Sequence, residues 1–381
     1  MERRTIGASA LRVGAVGLGC MPMSWAYTAS QRRGEQSLRT VHAALDAGAS
    51  LVDTADMYGP FINELLVGRA LRERRQDAFV STKVGLLVGD GHVVANGRPS
   101  YVRRACDASL RRLQTEVIDL YQLHRADPEV PVEETWGAMA ELVGAGKVRA
   151  LGMTAMDVGV AGGRGAGGAR GAAGGRGSAG AGGSARAGTG GSARAGTGGS
   201  ARLGAGMRGA WRSGAHLYEG TIRQLDRIQQ VFPVSAVQAE LSVWSPEALE
   251  RLLPWCAARG VGFLAAMPLG NGFLTGTLTP GQGFEPDDPR AYHPRFTAEM
   301  MAANQPLVAG LRRIAARHGP EVTPAQIALA WVLGQGPHVV AVPGAKRVEW
   351  ATENAAAAGL VLTPGDRDEI ARLPAARGSW D

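Results

Sequence analysis

Short apolar runs and amphipathic stretches alternate along most of this chain. GAVGLGCM (residues 14–21) predicts a strand, and GEQSLRTVHAALDAGA (34–49) carries apolar residues at helical spacing. The unit recurs as strand 51–55 with helix 63–74, strand 78–84 with helix 100–114, and strand 117–123 with helix 132–145, followed by strand 148–154. After an interruption it resumes with helix 221–231, strand 235–241, helix 246–259 and strand 261–267. Helices at 306–318 and 324–334 then precede a strand at 338–344 and a last helix from Arg347. Eight such units predict an α/β fold whose natural closure is a (β/α)8 TIM barrel, with a short N-terminal hairpin ahead of it. With 381 residues, of which 45% are apolar, the chain can bury the core of one such domain spanning 1–381. No apolar run approaches the length of a membrane span.

The interruption, residues 157–217, is built almost wholly from Gly, Ala, Arg, Ser and Thr. The octet GGSARAGT occurs at 182–189 and again at 190–197, and degenerates to GGSARLGA from Gly198. Such a composition buries too little apolar surface to offset the entropy of ordering, so a disordered insertion after the fifth strand is expected. Its GRGAGG at 163–168 satisfies a dinucleotide-binding pattern but lacks the strand before and the helix after that give the pattern meaning.

The insertion also accounts for the charge. The formal net charge is +7, yet eight arginines (164, 170, 176, 186, 194, 202, 208 and 212) fall in the acid-free stretch 158–218. Without them the remaining basic and acidic residues balance to within one charge. The basicity therefore belongs to one segment and argues against nucleic acid as a partner of the fold. An RNA-binding role through the arginines is a distinct alternative, weakened because only Trp211 and Tyr218 could stack on bases. Three widely spaced cysteines, Cys20, Cys106 and Cys256, form no metal-ligand pattern and read as buried reduced thiols of a cytoplasmic protein.

In a barrel of this kind chemistry sits at the C-terminal strand ends. There LVDTADMYG brings Asp53 and then Tyr58, FVSTKVG brings Lys83, and IDLYQLH brings His124. Protonating a developing alkoxide needs an acid stronger than a free tyrosine. An ammonium about 4 Å away contributes roughly 4 kcal/mol at an effective dielectric of about 20, or roughly three pKa units. Lys83 is thus expected to bring Tyr58 down into a useful range, with Asp53 holding Lys83 and His124 orienting a carbonyl.

Taken with GLGCMPMS, STKVG, DLYQLHR, GKVRALGMT, AVQAELSVW, PLGNGFLTG, AQIALAWVL and VPGAKRVEWATEN, in this order and spacing, the chain resembles the aldo-keto reductases, in particular the bacterial branch with a long loop after the seventh strand. The resemblance implies a reductase of small-molecule aldehydes or ketones using NADPH, with Asp53, Tyr58, Lys83 and His124 as catalytic tetrad and no metal. It implies cofactor contacts at Thr154 and Gln238, at Pro268, Leu269, Gly270 and Gly272, and at Gly344, Lys346, Arg347, Glu353 and Asn354. Lys346 and Arg347 would meet the 2′-phosphate near a helix start, where backbone N–H groups also favour an anion. Two positions depart from the family pattern: Ala155 replaces an amide that usually meets the nicotinamide, and Ala266 replaces an aromatic that usually stacks on it. These departures favour a second reading, a nucleotide-binding barrel of little turnover acting as a sensor or regulatory subunit. Trp25, Tyr27 and Trp244 are the expected substrate residues.

Overall fold

The computed structural model describes residues 1–9, 11–89, 92–155 and 218–378. An antiparallel hairpin, β1 (Arg3–Thr5) and β2 (Arg12–Gly14), comes first. It is followed by β3 (Leu18–Gly19), α1 (Gly34–Asp46), β4 (Leu51–Asp53), α2 (Ile62–Leu71) and β5 (Phe79–Val84). A second hairpin, β6 (Leu86–Gly89) with β7 (His92–Ala95), precedes α3 (Pro99–Leu113), β8 (Ile118–Leu123), α4 (Val132–Gly144) and β9 (Val148–Thr154). The expected disorder of 157–217 lies outside the described residues. Beyond them come α5 (Glu219–Gln229), β10 (Ala236–Glu240), α6 (Leu252–Ala258) and β11 (Gly262–Ala266). The chain ends with α7 (Ala298–Ala303), α8 (Gln305–His318), α9 (Pro324–Leu333), β12 (Val339–Val342), α10 (Val348–Ala356) and α11 (Pro364–Ala371).

Strands β3, β4, β5, β8, β9, β10, β11 and β12 pair side by side in chain order, all parallel. Gly17 N donates to Ala341 O at 2.8 Å and Gly19 N to Pro343 O at 2.9 Å, which joins the first strand to the last and closes the (β/α)8 barrel. Closure leaves no open edge on the ring. The first strand is shorter than the sequence pattern suggests, because these isolated bridges replace a continuous ladder on its β12 side.

Alternation along each strand separates two cores. Val52, Val80, Tyr121, Leu151, Val237 and Phe263 face the surrounding helices. Leu51, Phe79, Leu120, Ala150, Ala236, Leu264 and Val340 fill the barrel, where Ile6 and Val13 of the first hairpin join them. The hairpin therefore plugs the N-terminal mouth and leaves the opposite mouth for chemistry. Gly7 permits this close approach: at φ +56°, a Cβ there would fall 2.2 Å from Ser235 O.

Four elements depart from expectation, the short and unexpected α7 among them. The helix at 246–259 is a 3-10 turn, Glu247–Leu249, followed by the short α6, with Pro254 inside the stretch. Hairpin β6–β7 and helix α11 were not anticipated, although α11 has a capping box of Thr363 and Asp366 with Pro364 at its first turn. Cys20, Cys106 and Cys256 are all buried and unpaired. Among the described residues no helix is long and apolar enough to cross a membrane.

Candidate active site

Period-two alternation carries polar side chains from the barrel core to its open mouth. Asp53 follows the inward Leu51, Ser81 and Lys83 share the face of Phe79, Gln122 and His124 that of Leu120, and Gln238 that of Ala236. Asp53 and Lys83 are buried, and Lys83 Nζ lies 2.6 Å from Asp53 Oδ2 and 2.8 Å from Thr54 O. The same ammonium reaches Tyr58 Oη at 3.4 Å. The loop carrying Tyr58 is anchored to the neighbouring strand by Asp56 N donating to Lys83 O at 3.2 Å. His124 meets the Tyr58 ring edge-on, with centroids 6.0 Å apart, and its Nδ1 is buried without a hydrogen-bond partner among the described residues.

Burial dominates the electrostatics. Loss of solvent lowers the Lys83 ammonium, but the charge and hydrogen bond of Asp53, together with those of Tyr58, more than offset it and leave Lys83 above its ordinary value. Burial, helped by Lys83 and Arg125, holds His124 well below the usual histidine range, so it is neutral. Burial also pushes the Tyr58 phenol up, and Lys83 pulls against this without overcoming it. The expected net lowering of Tyr58 is therefore not met in the free protein: loss of solvent outweighs the field of Lys83, and the Asp53 charge adds to the rise.

From this cluster a cleft of about 830 Å3 runs across the barrel mouth. Asp53, Tyr58, Lys83 and His124 line it, as do Thr154, Gln238, Pro268, Leu269 and Gly272. Its far end is lined by Gly344, Lys346 and Arg347, just before α10, and by Glu353 and Asn354 within it. Gly270 does not line it, being tucked against Trp244. Ala266 lines the cleft with no ring to offer, and Ala155 is buried beside it.

Lys346 donates to the carbonyls of Tyr27 and Thr28 at 3.0 and 3.2 Å. Burial, aided by Arg290 and Arg32, lowers its ammonium to about 8. The guanidinium of Arg347 stacks on Trp350, 4.9 Å from the ring centre. Glu353 accepts from Thr323 Oγ1 at 2.6 Å.

The three aromatic residues expected around substrate have different fates. Trp25 packs on Tyr58 with ring centroids 5.8 Å apart. Tyr27 lines the cleft and donates to Asn271 Oδ1 at 2.8 Å. Trp244 does not line the cleft; it is buried against Phe273 and Phe296, with Arg295 over its ring. Ala26, Tyr27 and Thr28 all have positive φ (52°, 44° and 50°), and Thr28 N is held by Asp288 Oδ2 at 3.0 Å. A strained segment after β3 is thus tied to the long loop after β11.

Sequence reasoning missed Ser81 and Gln122, which bond to Asp53, and Asn271, Asp288 and Arg290, which hold the strained segment 26–28. Ser81 and Gln122 were within reach, lying two residues before Lys83 and His124 on the same strand faces. The loop residues had no periodic signal.

The Aldo/keto reductase family profile matches residues 15–161 and 218–375. The chain belongs to this family. The stretch between the two matched segments is the Gly/Ala/Arg-rich one, so the insertion interrupts the family pattern without displacing either side. A probable aldo-keto reductase 1 of Glycine max is 30% identical over 367 residues, covering 96% of this chain and 86% of the relative. Among solved structures, a glycerol dehydrogenase from Gluconobacter oxydans is similar at a TM-score of 0.71 and 26% identity, covering 97% of this chain and 94% of that one. An aldo-keto reductase from Klebsiella pneumoniae in complex with NADPH is similar at a TM-score of 0.63 and 24% identity, covering 100% and 99%. This last likeness speaks for the fold alone. As a member of the aldo/keto reductases, the protein is an oxidoreductase.

Proposed function

We propose that this aldo/keto reductase reduces an aldehyde or ketone to the alcohol with NADPH, and that Tyr58 is the proton donor. The observation that carries the reading is the chain Asp53–Lys83–Tyr58, with contacts of 2.6 and 3.4 Å at the mouth of the barrel. In this reading the substrate oxygen lies between Tyr58 Oη and the neutral His124. Bound NADPH supplies the hydride to the carbonyl carbon. As the C=O π pair moves onto oxygen, the Tyr58 O–H bond breaks and its proton goes to that oxygen. The phenolate left behind faces the Lys83 ammonium, which Asp53 keeps in place and charged. An interaction at about 4 Å contributes about 4 kcal/mol at an effective dielectric of about 20, and it is largest when the phenolate forms. The burial that raises Tyr58 keeps it protonated at neutral pH, so the acid is loaded before the carbonyl arrives.

The cleft suits a dinucleotide in size and in polarity. Thr154 and Gln238 would hold the nicotinamide amide, Pro268, Leu269 and Gly272 would line the middle of the cofactor, and Gly344, Lys346 and Arg347 would receive the 2′-phosphate. Glu353 and Asn354 would meet the adenosine. Ala266 removes a stacking face, which costs about 1 kcal/mol by the magnitude of aromatic pairs. Trp25, Tyr27 and the apolar residues of β6 and β7 favour a substrate with apolar bulk.

The test is Tyr58→Phe. Turnover of aromatic and aliphatic aldehydes, followed by loss of NADPH absorbance, should fall roughly 10²- to 10⁴-fold while NADPH affinity is unchanged. A Phe variant that keeps most of its rate would rule Tyr58 out as the acid.

A further inference from the structure

Beneath the acid pair lies a closed ring of hydrogen bonds to which the reaction above assigns no role. Ser81 Oγ donates to Asp53 Oδ1 at 2.9 Å. Gln122 Nε2 donates to Ser81 Oγ at 2.9 Å and to Gln238 Oε1 at 3.2 Å, and lies 3.4 Å from Asp53 Oδ1. Gln238 Nε2 closes the ring on Asp53 Oδ2 at 3.2 Å, the oxygen that also holds Lys83. Gln122 is buried and does not line the cleft, whereas Gln238 does. Every group facing Gln122 Nε2 in this set is an oxygen, and Asp53 commits Gln238 to present its oxygen, so the orientation of the Gln122 amide is fixed even though its own Oε1 is buried without a partner among the described residues. Gly152 on β9 makes room for it: a Cβ there would come within 3.1 Å of Gln122 Cγ and 3.0 Å of Ala236 O.

Each end of the Gln238 amide is thereby committed inward, its nitrogen to an acceptor and its oxygen to a donor. One N–H and one oxygen lone pair remain for the cleft, in a fixed order that complements a primary carboxamide. We propose that Gln122 is a positioning residue: it fixes which end of the Gln238 amide faces each part of the cleft and ties that amide to the Asp53–Lys83 pair, so that the grip on the nicotinamide and the proton donor are linked. This rests on the reading of Gln238 as a cofactor contact. The consequence runs both ways, because a ligand that draws on Gln238 also changes how many donors share the Asp53 charge.

The experiment compares the wild-type protein with Gln122→Met, which keeps the bulk and loses the amide. Each is titrated with NADP+ and with 2′,5′-ADP, which carries only the adenosine end. NADP+ should bind roughly threefold to tenfold more weakly in the variant, the size of one neutral hydrogen bond, with 2′,5′-ADP unaffected. The alkaline limb of carbonyl reduction should also move to higher pH. The titratable and charged groups facing this ring are Asp53, Lys83, Tyr58, His124 and Cys20. An Asp53 with fewer donors carries more unshared charge, and that charge raises Tyr58. Should Gln122→Met not fold, Gln122→Glu serves, because its acid can donate only when protonated. Its affinity for NADP+ relative to that for 2′,5′-ADP should fall as pH rises, while the wild-type ratio, in which the titration of Lys346 cancels, does not change. Equal NADP+ affinities with an unmoved alkaline limb, a pH-independent ratio in the Glu variant, or equal weakening of both ligands would overturn the proposal. A wild-type protein that binds NADP+ but reduces no carbonyl would sink the reductase reading alone, and the comparison of the two ligands would still decide the role of Gln122.

Discussion

His124 owes its charge state to burial, and that makes it a stability element as well as a site residue. A histidine held neutral in the fold takes up its proton more readily once unfolded, at about pH 6.5. Its contribution is therefore present above that pH and is lost as pH falls below it. His293, lowered to about 4 by burial and Arg295, acts in the same direction. Thermal unfolding of the wild type should drop between about pH 7.5 and about pH 5.5, and His124→Gln should flatten part of that slope. Identical slopes would show that His124 is not buried neutral. Lys346 works on the other side of neutrality, since its ammonium titrates near 8 in the free protein. Preference for NADPH over NADH should weaken as pH rises past that point. Neutral replacements of both Lys346 and Arg347 should remove most of the preference without harming NADH use. Equal affinities for the two cofactors in the wild type would defeat this assignment.

At the scale of elements, the consequential one is hairpin β6–β7, which follows Lys83 directly. Leu86, Val88, Val93 and Ala95 gather with Tyr58, Met57, Trp25 and Met21 in one apolar cluster. The hairpin therefore walls Tyr58, the proposed proton donor, with hydrocarbon, which excludes water and would favour apolar substituents on a carbonyl substrate. Replacing Val88 and Val93 by Ser should lower kcat/KM for bulky apolar aldehydes several-fold more than for short ones, a loss of about 1 kcal/mol per contact. An equal loss for both classes would place the substrate elsewhere. The hairpin was legible in principle, since LLVG and HVVA alternate around an Asp-Gly pair. The barrel rhythm, however, calls for a helix at that point.

The whole molecule is a barrel whose two family-matched segments meet in neighbouring strands: β9, the last element before the insertion, pairs with β10, the second element after it. The register between them, Gly152 with Ala236 and Thr154 with Gln238, sets two of the side chains that line the cleft beside each other. Joining these segments with a short polar linker in place of 159–217 should preserve the cooperative unfolding transition and carbonyl reduction, because closure entropy grows only slowly with loop length. A folded, NADPH-binding deletion variant without turnover would assign the insertion a part in the reaction.

The sequence by itself determined the eight strand-helix units and the four ionisable residues at three strand ends, because both follow from local periodicity: period two along a strand decides which side chains reach the mouth. The same parity could have exposed Ser81 and Gln122. Only the tertiary structure decided what lies far apart in the chain. Lys346 meets the carbonyl of Tyr27 across 319 residues, and Tyr27 meets Asn271 across 244. Trp244, an aromatic in a mouth loop, turned out to be buried because Phe273, Phe296 and Arg295 close over it. The sign of the Tyr58 shift belongs here too. It is a competition between desolvation and the field of Lys83, and both depend on burial that no pattern along the chain records.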